Sequence, residues 1–173
     1  MADLFLDGPE RLLVGWIGRI HELLRPQRDV VHAVKSTGRT DPGGRIVFSN
    51  EAFTRVSGFS TEELLGAPHN IVRHPDMPKE AFANLWETIK AGRPWEGLVK
   101  NRTRAGDFYW VRANVTPVRD GDEVTGFISI RARPEEAEKA QAEDAYRAMR
   151  DGRGGDIGLD DGQIARRGWR ARL

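Results

Sequence analysis

The sequence predicts an α+β fold, a five-stranded antiparallel sheet with helices packed on one face. Strand-like runs form two groups, one before and one after a block of helical segments. Short polar turns that contain Gly join the later runs, which is typical of antiparallel hairpins. The longest central helical segment is amphipathic, so it has one face to bury. This grouping of strands and helices favours α+β over a strict βαβ alternation.

The first segment, residues 9–26, has the periodicity of an amphipathic helix that ends at Pro26. Its apolar stripe consists of Leu12, Leu13, Trp16, Ile17, Ile20, Leu23 and Leu24. Such a stripe must pack on another surface, and we expect residues 1–29 to cap the core of the domain. The same helix is our candidate for a homodimer contact. Binding to a membrane surface is disfavoured because the polar face carries few Lys and Arg.

Two strand-like runs, residues 30–40 and 45–49, come next, separated by the turn sequence DPGG. Pro presets φ and Gly accepts a positive φ, so this pair predicts a tight turn. A short helix follows and is ended by Gly58. Ser60 and Glu63 then have the spacing of a capping box, which predicts a second short helix.

Residues 78–92 have the pattern of the longest central helix, with Pro78 at its start and Gly92 at its end. Its apolar stripe consists of Ala81, Phe82, Leu85, Trp86 and Ile89. Three further strand-like runs follow, residues 95–103, 108–118 and 124–132. They complete a central domain that we expect to span residues 30–133.

Residues 134–152 predict a C-terminal helix, begun by Pro134 and ended near Gly152. Its apolar stripe is thin, so we expect a solvated linker or a weakly dimerising helix. Residues 153–163 are rich in Gly and predict a loop. With the basic end of the chain they form a Gly-rich and basic tail, residues 153–173.

Composition excludes several classes of function. The 173 residues include no Cys, so a disulfide framework, a thiolate nucleophile and a cysteinyl–flavin photoadduct are impossible; this also fits a cytoplasmic setting. The formal net charge of +1 argues against nucleic-acid binding. No apolar run approaches the ~20 residues of a membrane span. No phosphate-binding Gly loop, G-x-S-x-G or H-E-x-x-H motif occurs, so we expect no enzyme.

Residues 69–78, HNIVRHPDMP, form a polar and rigid loop between two helical segments. Arg73 and His74 are hydrogen-bond donors within this loop. Asp76 would hold one of these two side chains in place or cap the helix that follows. Without a ligand, the same residues would form an N-cap and local ion pairs.

The segment PHNIVRHPDMP, followed by NLW and KNR, resembles the PAS domain of the bacterial aerotaxis receptor family. The resemblance extends from about Val30 to about Gly152, and GQIARRGW resembles the segment that follows that PAS domain. It implies a PAS fold that binds FAD non-covalently and reports redox state or oxygen to a chemotaxis-type or other signalling partner. Those receptors continue into a transmembrane hairpin, which implies membrane association if this sequence is a piece of one.

The resemblance also implies a binding site, in which Arg73 and His74 would bond phosphate or ribose oxygens of FAD or the polar edge of its ring. An Asn in the position of Asn101 bonds the pyrimidine edge of the flavin, and strand alternation puts Asn101 on the same face as Val99. Phe82 and Trp86 are then candidate walls of the pocket. Asn50 resembles an Asn that is important in the family, or is an ordinary N-cap. Arg131 would stabilise a negative charge on the reduced ring, or be a strand-end Arg in solvent.

Alternatives remain open from the sequence. FMN is a less favoured flavin than FAD. A haem-binding PAS gas sensor would need an axial ligand from His21, His32, His69 or His74. A cofactor-free PAS module would serve only for dimerisation or interaction. Trp and Tyr side chains near a flavin would quench its excited state, so redox sensing is favoured over light sensing.

Overall fold

The structure is a computed structural model and describes residues 35–166. Five strands form one antiparallel sheet in the order β2-β1-β5-β4-β3. They are β1 (Ser36–Thr40), β2 (Ile46–Ser49), β3 (Trp95–Arg102), β4 (Phe108–Asp120) and β5 (Glu123–Ala132). The predicted fold class is therefore confirmed. The predicted helix over residues 9–26, its dimer contact, residues 30–34, His21, His32 and the end of the basic tail lie outside the described residues.

Between β2 and β3 the chain forms helices α1 (Glu51–Ser57), α2 (Thr61–Leu64) and α3 (Lys79–Lys90). The predicted end of the first short helix and the predicted capping box of the second are confirmed. Gly58 ends α1 with a φ of 72°, a left-handed conformation that suits Gly. The Ser60 side chain and the Glu63 side chain form the reciprocal bonds of a capping box. The loop of residues 69–78 begins with a short 3-10 turn, His69–Val72.

After β5 the chain forms the predicted C-terminal helix, α4 (Glu136–Arg150), but the expectation that it is a solvated linker is wrong. Ala142, Ala145 and Tyr146 are buried. The small Ala side chains let the helix approach the sheet closely, while the Tyr146 ring stacks on Trp110 with 6.2 Å between centroids. The Tyr146 hydroxyl donates to the Leu98 carbonyl at 2.8 Å. Helix α4 is thus part of the packed domain.

Residues predicted as a Gly-rich loop form a second hairpin, β6 (Ile157–Asp160) and β7 (Gln163–Arg166). Its turn residues Asp161 and Gly162 both have a positive φ, 47° and 98°. Two such residues are typical of the tight turn that matches the twist of a two-stranded ribbon. The loop prediction is wrong because the many Gly residues masked this Asp-Gly signal.

Two apolar clusters stabilise the domain. The larger lies between α3 and the sheet and also includes Ala142 and Tyr146 of α4. The smaller lies under α1 and α2 and contains Ile46, Phe53, Phe59, Leu64 and Val72. Within residues 35–166, no helix combines the length and the apolar character needed to cross a membrane.

Candidate functional site

A cavity of about 250 Å³ lies between helix α3 and the sheet. Its apolar walls come from α3 and from the inward-facing residues of β3, β4 and β5, namely Phe82, Leu85, Trp86, Ile89, Val99, Val111, Ala113, Val115 and Phe127. Trp86 packs edge-on against Phe127 with 5.6 Å between ring centroids. A mostly apolar cleft with a few polar groups at one end is the usual form of a small-molecule site.

Glycines give this cavity part of its shape. A Cβ at Gly44, where φ is +84°, would lie 2.9 Å from the Trp86 ring. A Cβ at Gly38 would lie 3.1 Å from the Arg131 guanidinium and 3.4 Å from Phe53. Both glycines line the cavity, so the turn and strand beside it leave room that other residues would fill.

Arg131 and Asn101 lie at the buried, polar end of the cavity, and each is only 3% exposed. Arg131 donates to Ser36 Oγ at 3.2 Å and to His69 Nε2 at 2.8 Å, and its guanidinium lies 4.1 Å from the centre of the Phe53 ring. None of these neighbours carries a negative charge. Burial lowers the pKa of Arg131 to about 10, and the guanidinium remains charged at neutral pH. The prediction of an exposed strand-end Arg is therefore wrong.

His69 is neutral in this arrangement. Because a guanidinium can only donate, its bond fixes the His69 proton on Nδ1. Burial of the ring and the neighbouring charge of Arg131 lower the pKa of His69 to about 3. Its Nε2 lone pair is used by Arg131, so His69 gives no support to axial ligation of a haem iron.

Tyr109 lies directly across from Asn101 on the neighbouring strand. Its hydroxyl is sealed from solvent and has no hydrogen-bond partner of normal geometry among the described residues. Burial raises the pKa of Tyr109 to about 12, against the opposing influence of Arg131 and of the Asn101 side chain. Tyr109 does not itself line the cavity; its sealed hydroxyl lies behind the amide and the cation that do.

The loop of residues 69–78 contributes to the cavity through its first half. His69, Asn70, Val72 and Arg73 line the cavity, and the Arg73 guanidinium lies 4.0 Å from the centre of the Phe82 ring. Of the residues predicted for cofactor binding, Arg73, Phe82, Trp86, Asn101 and Arg131 are thus brought together.

Asn50, His74 and Asp76 do not line the cavity, so the structure does not bring them together with the other predicted site residues. The Asn50 side chain caps α1 at Phe53 N, accepts from Thr37 N of β1 and donates to the carbonyl of Lys35, just before β1. These three bonds use both ends of its amide, so the N-cap interpretation is the one that the structure supports.

Asp76 accepts a hydrogen bond from Lys100 at 2.7 Å, and this bond holds the pKa of Asp76 below its usual value. Its backbone N–H donates to His74 Nδ1 at 3.1 Å, so the prediction that it positions His74 is supported. It does not cap the following helix, whose N-cap is Pro78 without a side-chain bond.

Sequence reasoning missed several residues. Lys100 is one of them: it is 6% exposed because α4 covers the outer face of β3, and Glu143 of α4 lies 3.6 Å from its ammonium. Tyr109 and Asn84 gave no signal beyond their residue types. From the sequence, His69 was considered only as an iron ligand, and its hydrogen bond with Arg131 was not expected.

Comparisons with known proteins agree with this architecture. Residues 46–131 match a family model described as the PAS fold. The aerotaxis receptor of Escherichia coli K12 is 48% identical over 135 residues, which are 78% of this chain and 26% of the receptor. A nitrogen fixation regulatory protein of Klebsiella oxytoca is 33% identical over 46% of this chain and 16% of its own length.

Solved structures give the same fold at low sequence identity. A light-oxygen-voltage domain studied with a flavin analogue has a TM-score of 0.59 at 19% identity, over 66% of this chain and 89% of that domain. The dark structure of the blue-light photoreceptor Aureochrome1 LOV has a TM-score of 0.61 at 17% identity, over 85% and 99%. The chain spans about a quarter of the E. coli receptor. The chain therefore carries a PAS domain, and this domain is related to the one in the aerotaxis receptor.

Proposed function

We propose that this PAS domain binds FAD non-covalently and reports its redox state to a signalling partner. The observation that carries the proposal is the cavity between α3 and the sheet, apolar along its walls and polar at the end formed by Asn101 and Arg131. An isoalloxazine ring has the same distribution, a flat apolar body with a polar pyrimidine edge. Its relation to the aerotaxis receptor and the fold shared with a domain studied with a flavin analogue support the choice of ligand.

The residues present fit such a group. Asn101 offers both a donor and an acceptor, which the pyrimidine edge requires. Phe82, Leu85 and Trp86 would hold one face of the ring from α3. The cavity has room for a fused ring system and not for a whole dinucleotide, so the rest of FAD needs the exposed mouth near Gly43, Asn70 and Pro68.

When bound, flavin would supply the redox chemistry, and the residues around it would set how easily it is reduced. Arg131 is a buried positive charge at that end of the pocket and has no anionic neighbour among its contacts. A fixed buried cation favours any ligand form that gains negative charge. We therefore infer that Arg131 raises the reduction potential of the site, while Asn101 holds the ring edge in register.

The first test is the absorption spectrum of the purified full chain, before and after FAD is supplied and then with dithionite. We expect flavin bands in the blue that bleach on reduction and return in air. A Soret band would indicate the haem alternative instead. Protein that stays colourless after incubation with FAD would refute the proposal and favour the cofactor-free module.

The second test uses Asn101→Ala with Asn114→Ala as a matched control. Asn114 lies on β4 with its side chain on the opposite face of the sheet, bonded to Glu96. Loss of one or two net hydrogen bonds of about 1 kcal/mol each predicts a roughly five- to thirtyfold weaker FAD affinity for Asn101→Ala. Unchanged affinity and potential in Asn101→Ala, or equal losses in both variants, would remove Asn101 from the site.

A further inference from the structure

Helix α3 makes contacts through two different faces. One face carries Phe82, Leu85 and Trp86 and lines the cavity. The other carries Asn84 and Thr88, one helical turn apart, and both side chains bond residues of the C-terminal hairpin β6–β7. Helix α3 therefore contacts both the cavity and the hairpin and connects them physically.

Asn84 joins three parts of the fold with one side chain. Its Oδ1 accepts from the Trp95 indole N–H and from the Gly162 backbone N–H, each at 2.9 Å. Its Nδ2 donates to the Leu159 carbonyl at 3.2 Å. Helix α3, the first residue of β3 and both sides of the hairpin turn are thus held by the same amide.

Asp161 adds a second set of contacts in the turn of the hairpin. Its carboxylate accepts from Thr88 Oγ1 at 3.0 Å and from the Arg93 guanidinium at 2.6 Å. Its carbonyl accepts from the Glu96 backbone N–H at 3.1 Å. Thr88 is 1% exposed, so its hydroxyl donates this hydrogen bond without competition from water.

The turn also meets β3 backbone to backbone. A Cβ at Gly162 would lie 2.2 Å from the Glu96 carbonyl oxygen, and Gln163 Nε2 donates to that same oxygen at 2.8 Å. No side chain separates the two segments at this point. The docked position of the hairpin is therefore defined by the position of α3 and of the start of β3.

We propose that hairpin β6–β7 is the output element of this domain. Filling the cavity restrains α3, and Asn84 and Thr88 pass that restraint to the hairpin, which docks more tightly. This inference rests on the proposed function for the identity of the ligand, whereas the mechanical link between cavity and hairpin stands on the contacts of α3 alone. A ligand that reduces the mobility of one face of a helix is sufficient to change the local stability of an element that packs on its other face.

The test is amide hydrogen exchange of the full chain, read on peptides that cover residues 157–166. With FAD bound, we expect exchange in this segment to slow about tenfold relative to the FAD-free chain. Exchange that is identical with and without bound FAD would overturn the proposal. Because FAD binding is followed separately by absorption, failure to bind is recognised as failure of the proposed function.

A comparison that needs no ligand decides the mechanical link. Leu85→Ala removes packing from the cavity face of α3, and Leu64→Ala makes the same change in the separate cluster under α1 and α2. We expect hairpin exchange to accelerate about tenfold in Leu85→Ala and much less in Leu64→Ala, although Leu64 is fully buried. Equal acceleration would mean global destabilisation and would refute the link; Leu85→Val replaces Leu85→Ala if the latter does not fold.

The amide of Asn84 is tested in the same way. Asn84→Ala is expected to raise hairpin exchange roughly tenfold to a hundredfold, because it removes three hydrogen bonds, and to abolish the effect of FAD on the hairpin while FAD still binds. Lys79→Ala, an exposed position in the first turn of the same helix, is the matched control and should behave as wild type. A hairpin that still responds to FAD in Asn84→Ala would show that the signal reaches the hairpin without Asn84 and would overturn the role given to this side chain.

Discussion

At the scale of single residues, the two buried tyrosines offer a controlled comparison. Tyr146 donates to the Leu98 carbonyl, whereas the Tyr109 hydroxyl has no partner of normal geometry among the described residues. We expect Tyr146→Phe to lower the free energy of unfolding by about 1 kcal/mol and Tyr109→Phe to leave the ligand-free protein unchanged or slightly stabilised. Urea denaturation of the two variants measures both. A larger loss for Tyr109→Phe would show that its hydroxyl is bonded in solution.

His69 predicts how stability depends on pH. Its pKa falls from 6.5 to about 3 on folding, so between these values the unfolded chain binds the extra proton. Stability from this group is present above pH 6.5 and is lost as the pH falls, by about 1.4 kcal/mol per pH unit. We expect His69→Gln, whose amide oxygen can still accept from Arg131, to flatten the loss between pH 7 and pH 5.

Urea denaturation at pH 7, 6 and 5 measures that slope. Carboxylates such as Asp76 titrate at lower pH, so this window isolates the histidines. His74→Gln is the control; burial lowers the pKa of His74 too, but its ring lies outside the cavity and Asp76 opposes the shift. A slope that is equal in His69→Gln and wild type would mean that His69 is not held neutral by the fold.

At the scale of elements, the β1–β2 turn and helix α3 determine the width of the cavity together. Gly44 and Gly106 both have a positive φ, but a Cβ would meet Trp86 only at Gly44, since open space surrounds Gly106. We expect Gly106→Ala to cost about 1 kcal/mol from backbone strain and Gly44→Ala to cost about 1–3 kcal/mol more, with weaker FAD binding. Unfolding free energies and FAD titrations of both variants test this; equal costs would show that Trp86 moves away freely.

The elements also show how far sequence reasoning reaches. The amphipathic stripe of α3, the capping box at Ser60 and the Gly-containing turns each act locally, so the sequence pattern was sufficient to predict the sheet and its helices. The packing of helix α4 on the sheet could not be predicted. Its apolar stripe consists mostly of Ala, and the helix stabilises the fold through its close approach to Trp110. In the site, strand alternation predicted the inward face of Asn101 correctly. It could not predict that Arg131 lacks an anionic partner, since that depends on Ser36 and His69 from distant parts of the chain.

At the scale of the whole molecule, the packed unit is longer than the segment that the family model matches. The match ends at residue 131, yet Ala142 and Tyr146 belong to the larger buried cluster and Leu159 and Ile164 pack against it. Strand β3 is an edge of the sheet, and segments outside the match complete its hydrogen bonds. Tyr146 bonds the Leu98 carbonyl, and Asp161 and Gln163 bond the backbone of Glu96. These C-terminal elements therefore protect the first half of this edge from pairing with another chain, whereas the loop of residues 69–78 bonds the second half at Lys100.

Shortening the chain tests this dependence. A chain that ends at residue 133 loses both α4 and the hairpin. Lys100 and Trp110 are then uncovered, and Lys100 also loses its partner Glu143. Because burial of one large apolar side chain contributes about 1.5–3 kcal/mol, we expect this chain to lose at least about 3 kcal/mol of unfolding free energy and to associate through β3. A chain that ends at residue 152 keeps α4 and should lose less and associate less. Urea denaturation and light scattering measure both properties, and a chain ending at residue 133 that matches the full chain in stability and stays monomeric would show that the matched segment folds independently.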